Sequence, residues 1–598
     1  MIDLPWNSTS ARSRRSRHRR HSCSGTASSI RISTPAHGSI RARSNWHEEW
    51  TMNVGLAERP EAAMARRAVA RGGMVATAHP LASRVGLDVL ARGGNAMDAA
   101  IAAVAVLGVV QPMMSGLGGD SFILIRSGRT GAIRSVNASG PAPHGQSLEW
   151  ARKAGLARLP DRGMLSVSVP GAVAAMCAAH QQFGSGRHSL AALLQPAIGH
   201  ATDGVALTRS VARFFALNEA VLAGSESARA AYLKNGKAPA EGEVLSQPEL
   251  ANTLEAVAAG GADAFYRGEF ARRLVAHSAA TGGLFSLDDL AEYQCETVEP
   301  LSLALGQGRI YTNPPVGQGI VLLEALGILE RCTPMDRSSE VVQVHRMIEA
   351  LKLAFLDRNR HLGDPRFVAN PIDRLLSDSH LRGHAGRIDD RRAMTSVEES
   401  WSSFGEGDTT CLATADESGN VVAYISSLST PFGAAEVIDG TGVLMNNRAG
   451  RGFTLDPTAP NCLAGGKRTM STLHVYMVCD DDGLKLAGGT SGGDGQPQWN
   501  LQILDAVLNG GRDLREAIDQ PRWELMPGTD PVNLGQPFEI RMDGRFASSL
   551  AGLGELGHRI SDKPLGMLGA AQAIAVSGDG TLVGAADPRA DGCALGLD

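Results

Sequence analysis

From Gly73 onward the apolar positions fall into runs whose spacing predicts their structure. "ASRVGLDVLARGG" (82–94) has helical spacing and stops at Gly93-Gly94, and "NAMDAAIAAVAVLGVVQP" predicts a second helix with Asn95 as N-cap and Asp98 at the third helical position. "MSGLGGDSFILIR" predicts a glycine turn into a strand, and "GRTGAIRSV" its hairpin partner. "LSVSVPGAVAAM" (165–176) predicts a strand running into a helix behind Pro170-Gly171. The middle, about 175–300, reads as largely helical. "VHRMIEALKLAFLDRNRHLGDP" then predicts an amphipathic helix with Ile348, Leu351, Phe355 and Leu362 near one face, ended by Gly363 and Pro365. Residues 390–408, "DRRAMTSVEESWSSFGEGD", are polar and Gly-punctuated, which predicts an exposed segment. After it the period changes. Thr410–Ala415 is a run of β-formers and small residues, "DESGN" supplies a turn, and "VVAYISSLS" resumes a strand, so Thr409 sits where a strand begins. Further strands, glycine turns and one helix, "PQWNLQILDAVLNGG", complete the chain.

Composition narrows the class. The 598 residues are 43% hydrophobic and 20% charged, with a net charge of -5, so no overall imbalance points to nucleic acid. Seventy glycines favour tight turns over long bundles. The apolar stretch "AAIAAVAVLGVV" at 99–110 is too short for a bilayer, which needs about 20 residues, and reads as a buried core helix. Residues 1–72 do not match the remainder: "ARSRRSRHRR" at 11–20 carries six arginines, and Ser-rich sequence without the apolar core of a secretory signal follows. This segment reads as a disordered arm, or as an upstream extension of a frame that starts at Met52 or Met64. The eight cysteines show no CxxC and no His-Cys cluster, so neither an oxidising compartment nor a zinc site is indicated. The expectation is a cytoplasmic protein without membrane, nucleic-acid, metal or cofactor partners.

The chemistry centres on Thr409. A threonine hydroxyl holds its proton at neutral pH, so an enzyme that uses it as nucleophile must place a base beside it. A free α-amino group on the same residue, with a pKa of about 7.7–8.0, is such a base. An internal threonine acquires one only when the preceding bond is cut, so the reading implies self-cleavage between Asp408 and Thr409. Acyl chemistry also needs oxyanion donors, and paired glycine N–H groups suit because no Cβ intervenes. "SGLGGD" (115–120) and "GGTSGGDGQPQ" (488–498) both qualify, and the second also opens a helix. A competing reading takes "GTSGG" at 489–493 as a serine-hydrolase G-x-S-x-G, with Ser491 as nucleophile, Asp519 or Asp530 as acid and His558 as base.

Several of these segments, with "GTGVLMNNRAGRGF", "GKRTMSTL" and the terminal "AADPRADGCALG", together resemble the γ-glutamyltranspeptidase family of N-terminal nucleophile hydrolases, in consistent order over about residues 73–598. The resemblance implies an α/β fold, a four-layer αββα sandwich built from a large subunit (73–408) and a small subunit (409–598) of one precursor. It implies Thr409 as nucleophile and new N-terminus, Ser427 as the supporting hydroxyl, Gly492 and Gly493 as oxyanion glycines, and Ser471 and Thr472 at the substrate. The specificity positions depart from the family pattern. Pro141 stands where glutamate-binding members carry an arginine for the α-carboxylate, Ser429 replaces an asparagine, and Arg448 replaces a glutamine. Gly450 or Arg451 stands where an aspartate would hold the α-amino group. The implied activity is amide hydrolysis through an acyl-threonine, with water or an amino acid as acceptor and a carboxylate-bearing acyl amide as substrate. The alternative is an ordinary glutathione hydrolase whose carboxylate clamp comes from Arg134.

Overall fold

Two seven-stranded antiparallel sheets lie at the centre of the computed structural model, which describes residues 66–332, 339–394, 408–526, 538–562 and 569–598. All of these belong to one unit, Met64–Asp598. The first sheet runs in the order Arg67–Ala70, Leu582–Ala586, Ala571–Val576, Gly483–Thr490, Tyr476–Asp480, Gly308–Thr312, Leu301–Leu305. The second runs Cys593–Leu597, Gly73–Thr77, Asp408–Asp416, Val421–Ser429, Asp120–Arg126, Ile133–Ala138, Glu296–Val298. Each sheet therefore interleaves strands from before and after residue 409.

The two-residue period of the strands decides what lies between the sheets. Cys411, Ala413, Ala415, Ala423 and Ile425 of the second sheet pack with Met477, Ala487 and Ile574 of the first and with Leu473 and Val475 just before it. Small residues dominate this face. Helices cover both outer faces: Pro80–Ala91 and Ala96–Val110 lie on the second sheet, and Gly319–Arg331, Glu340–His361 and Gly495–Leu504 share a core with the first. The result is the αββα sandwich expected.

The helix Ala96–Val110 starts with the predicted cap, in which Asp98 N–H donates to Asn95 Oδ1 at 2.9 Å and Asn95 N–H to Asp98 Oδ2 at 3.1 Å. All of its residues are buried, as a core helix requires. No helix among the described residues is long and apolar enough to cross a membrane.

The structure departs from the sequence pattern in three places. The strand expected at 165–169 is absent: Met164–Ser166 is a 3₁₀ turn, and the extended residues after it bond across loops, Val169 N–H to Pro141 O at 2.9 Å and Ser168 N–H to Asn446 Oδ1 at 3.2 Å. The folded chain also begins before residue 73, because Arg67–Ala70 pairs with Leu582–Ala586. Finally, Glu340–His361 is buried on its polar side as well as its apolar side, including Arg346, Glu349, Lys352, Asp357 and Arg358. Hydropathy hides this, because each of those groups finds a salt-bridge or hydrogen-bond partner. Most of the predicted exposed segment 390–408 lies outside the described residues.

Candidate active site

Thr409 lies on the strand Asp408–Asp416, where pairing with Val421–Ser429 skips a residue: Asp408 faces Ser429 and Thr410 faces Ser426. Thr409 thus sits in a bulge, a device that re-aims a side chain out of the alternation. Its Oγ1 donates to Ser427 Oγ at 3.2 Å, and Gln496 Nε2 lies 3.5 Å away on the other side. Ser427 Oγ in turn accepts the Ser429 N–H at 2.8 Å. That bond accompanies a turned backbone: Ser429 has φ +87°, a left-handed conformation costing a non-glycine residue about 1–3 kcal/mol. Arg451 stabilises the turn by donating to the Ser429 carbonyl at 2.7 Å.

The glycine loop follows the strand Gly483–Thr490. Gly492 has φ +109° and Gly493 φ +56°, and a Cβ on Gly492 would lie 2.2 Å from the Trp499 ring, so only glycine fits there. The helix Gly495–Leu504 begins directly behind the loop, so its N-terminus adds favourable polarity for an anion. Gln318 ties the loop to the "MSTL" segment by donating to Thr472 O at 2.6 Å and Gly493 O at 3.0 Å. Arg358 fixes this brace through Asp494 at 2.8 Å and through the Gln318 side-chain oxygen. In the other glycine motif, a Cβ on Gly119 would lie 2.5 Å from the Ser427 carbonyl. That motif serves close backbone approach beside Ser427.

The residues expected at the substrate are buried and hydrogen-bonded. Ser471 N–H donates to Val316 O at 2.9 Å, and Thr472 Oγ1 lies 3.4 Å from Arg448 Nη1. Arg448 Nε pairs with Asp120 at 3.0 Å, with both side chains almost wholly enclosed. Burial pushes the Asp120 carboxyl up to about 6 against the pull of Arg448, and burial likewise lowers Arg448. Arg448 Nη2 and Ser429 Oγ are buried without hydrogen-bond partners. Asp120 therefore neutralises much of the Arg448 charge.

Hydrogen bonds join these parts into one network. Gln496 touches Thr409 and accepts the His474 N–H at 3.3 Å, while Thr472 reaches Arg448 directly and Gly493 through Gln318. The competing clamp and the competing nucleophile fall outside it. Arg134 is 43% exposed and pairs with Glu299. Pro141 bridges Arg468 and accepts from Val169. Ser491 Oγ accepts the Ala570 N–H at 2.7 Å, His558 bonds His345 at 2.7 Å, and Asp519 sits 3.7 Å from Arg515, so no serine triad forms among them. Asp530 lies outside the described residues.

Sequence reading missed Gln496, Asp120 and the Gln318–Arg358–Asp494 brace. Gln496 and Asp120 sit inside motifs singled out for their glycines. The brace joins residues 40 and 136 positions apart and leaves no local signal.

The fold is that of an N-terminal nucleophile hydrolase. The chain belongs to the γ-glutamyltranspeptidase family, whose model matches residues 82–597. It is 37% identical over 533 residues to the glutathione hydrolase-like YwrD proenzyme of Bacillus subtilis, covering 88% of this chain and 98% of that one. It is also 37% identical over 538 residues to the oxamate amidohydrolase proenzyme of Klebsiella pneumoniae, covering 88% and 99%. Among solved structures, the cephalosporin acylase from Bacillus halodurans matches with a TM-score of 0.82 at 32% identity, over 90% of this chain and 98% of that one. The protein is accordingly a hydrolase/acyltransferase of this family.

Proposed function

We propose that the chain cuts itself between Asp408 and Thr409 and then hydrolyses a carboxylate-bearing acyl amide through an acyl-Thr409 intermediate. The observation that carries the reading is Thr409 in its bulge, with Oγ1 held between Ser427 and Gln496. In the uncut chain the hydroxyl attacks the Asp408 carbonyl, and hydrolysis of the resulting ester frees the Thr409 amine. That amine then takes the hydroxyl proton as Oγ1 attacks the substrate carbonyl. Gly492 and Gly493 offer N–H groups to the oxyanion, the amide nitrogen leaves with the proton, and water releases the acid. N-terminal sequencing of the smaller fragment checks the cut; a new N-terminus other than Thr409 moves the nucleophile.

Ser427 supports the hydroxyl, so Ser427→Ala is expected to lower kcat about tenfold with KM little changed, the cost of one hydrogen bond near 1.5 kcal/mol. A steady-state comparison on one substrate measures it.

The acyl group is read from Arg448 Nη2 and Ser429 Oγ, two buried polar atoms without partners. A substrate carboxylate satisfies both, while nothing in "NNRAGRGF" supplies an acid for an α-amino group. The oxamate amidohydrolase relative supports a head group of this kind, because oxamate is an amide that carries a carboxylate. The expected result is faster turnover of a glutaryl anilide or of oxamate than of the γ-glutamyl anilide, by roughly 10²-fold for the charge-assisted bonds a zwitterion loses. Preference for the γ-glutamyl compound, lost in Arg134→Ala, overturns this in favour of a glutathione hydrolase.

Asp120 adds a pH signature. Its carboxyl, pushed up to about 6, ionises as pH rises through that value and then cancels the Arg448 charge. KM for the carboxylate substrate is expected to rise between about pH 5 and 7, separately from the kcat dependence on the α-amine near 7.7–8.0. In Asp120→Asn the KM rise disappears.

Cytoplasmic residence belongs to the same proposal, supported by the free thiols of the described cysteines. Recovery of mature enzyme from a periplasmic or culture fraction overturns it.

A further inference from the structure

Away from Thr409, three helices aim acids and imidazoles at one point. Asp357 comes from Glu340–His361, His380 and His384 come one turn apart from Asp378–Ala385, and Glu324 comes from Gly319–Arg331. Both histidines turn the same nitrogen to the same oxygen, with Nε2 of His380 at 2.6 Å and of His384 at 2.7 Å from Asp357 Oδ2. The potential ligand atoms of these three residues lie within 4.8 Å of one another. Glu324 Oε1 stands 4.0 Å from His380 Nε2, and His361 Nε2 is 3.8 Å from Asp357 Oδ1 at the rim.

Glu324 is the observation that hydrogen bonding alone leaves unexplained. Its side chain is fully buried, and both carboxylate oxygens lack a hydrogen-bond partner. A buried, unpaired carboxyl is costly, and a cation is the group that would satisfy it together with the facing imidazoles. The other histidine cluster lacks this mark, because Glu349 there already accepts from Lys352 Nζ at 2.7 Å and from Met394 N–H at 2.8 Å.

We propose that Glu324, Asp357, His380 and His384 form a binding site for a divalent transition cation of the Zn²⁺ class. Two imidazoles and two carboxylates suit such an ion in tetrahedral geometry, and ligand bonds of about 2.0–2.2 Å require the clustered atoms to part by less than about 1 Å. These ligands are scattered over 324–384 and none is a cysteine, so no local spacing signals a metal. The ion would pin the helix Asp378–Ala385 to the two long helices behind the first sheet. It would also set Asp357, whose neighbour Arg358 braces the glycine loop through Asp494.

The test uses tag-free full-length protein stripped with a chelator and titrated with Co²⁺, whose visible absorption reports imidazole–carboxylate ligation, followed by Zn²⁺ displacement and thermal unfolding. One equivalent of Co²⁺ is expected to give bands that Zn²⁺ removes, and Zn²⁺ is expected to raise the unfolding temperature. His384→Ala should lose the bands. The near-isosteric Glu324→Gln, which preserves packing, should bind at least about tenfold more weakly. No bands and no thermal shift in the wild-type chain overturn the site. Unchanged affinity in Glu324→Gln overturns it too, as does binding lost in His345→Ala but kept in His384→Ala.

Discussion

Thr409→Ala is expected to remain a single chain of 598 residues on denaturing electrophoresis and to hydrolyse amides at least about 10⁴-fold more slowly than the wild type. Both losses share one cause, because the same Oγ1 that attacks the Asp408 carbonyl later attacks the substrate. The variant lacks the hydroxyl that bonds Ser427, but the surrounding sheet is unchanged, so it should fold. Ser491→Ala is the decisive companion. Its hydroxyl accepts the Ala570 N–H, so removing it costs about 1 kcal/mol of local stability and leaves cutting intact. Cleaved Thr409→Ala, or uncut Ser491→Ala, would sink the assignment.

Asp120→Ala is expected to be the most destabilising single change at the site. It strands the Arg448 guanidinium in the interior, and removing one partner of a buried pair costs about 3–5 kcal/mol. Arg134→Ala removes half of an exposed pair with Glu299 and should cost less than about 1 kcal/mol. Side-by-side urea unfolding separates the two; equal midpoints would show that the Asp120–Arg448 pair carries no structural weight. The pair also has a pH dependence of definite sign. The Asp120 carboxyl rises on folding from 3.8 to about 6, so between those values the folded chain holds a proton that the unfolded chain releases. Its contribution to stability is therefore fullest below pH 4 and declines as pH rises through 6.

Local chemistry was legible from the sequence where it depends on neighbours in the chain. The cap of Asn95 and Asp98, the hairpin through "DESGN", and the start of a strand at Thr409 are all set within a few residues, and the structure places each where the pattern puts it. Features set by tertiary contact were not legible. The buried polar side of Glu340–His361 reads as a solvated face until Asp494, Asp390 and His384 are brought to it from elsewhere. Val167 and Val169 carry strand propensity but meet no ladder, because Pro141 and Asn446 take the hydrogen bonds of that stretch. At the candidate site, residue types marked Thr409 and the glycines. Whether Arg448 was a free cation could be known only once Asp120 was seen beside it.

The interleaving of strands bears on the life of the enzyme after it is cut. Gly73–Thr77 lies between Cys593–Leu597 and Asp408–Asp416, Val421–Ser429 pairs with Asp120–Arg126, and Tyr476–Asp480 with Gly308–Thr312. Parting the two polypeptides would expose whole rows of unpaired N–H and C=O groups on several strands at once. Dilution therefore cannot dissociate them, and their separation has the rate of global unfolding rather than a Kd. Two differently mutated enzymes mixed after maturation will not exchange halves, so each molecule keeps for life the pair it was translated with.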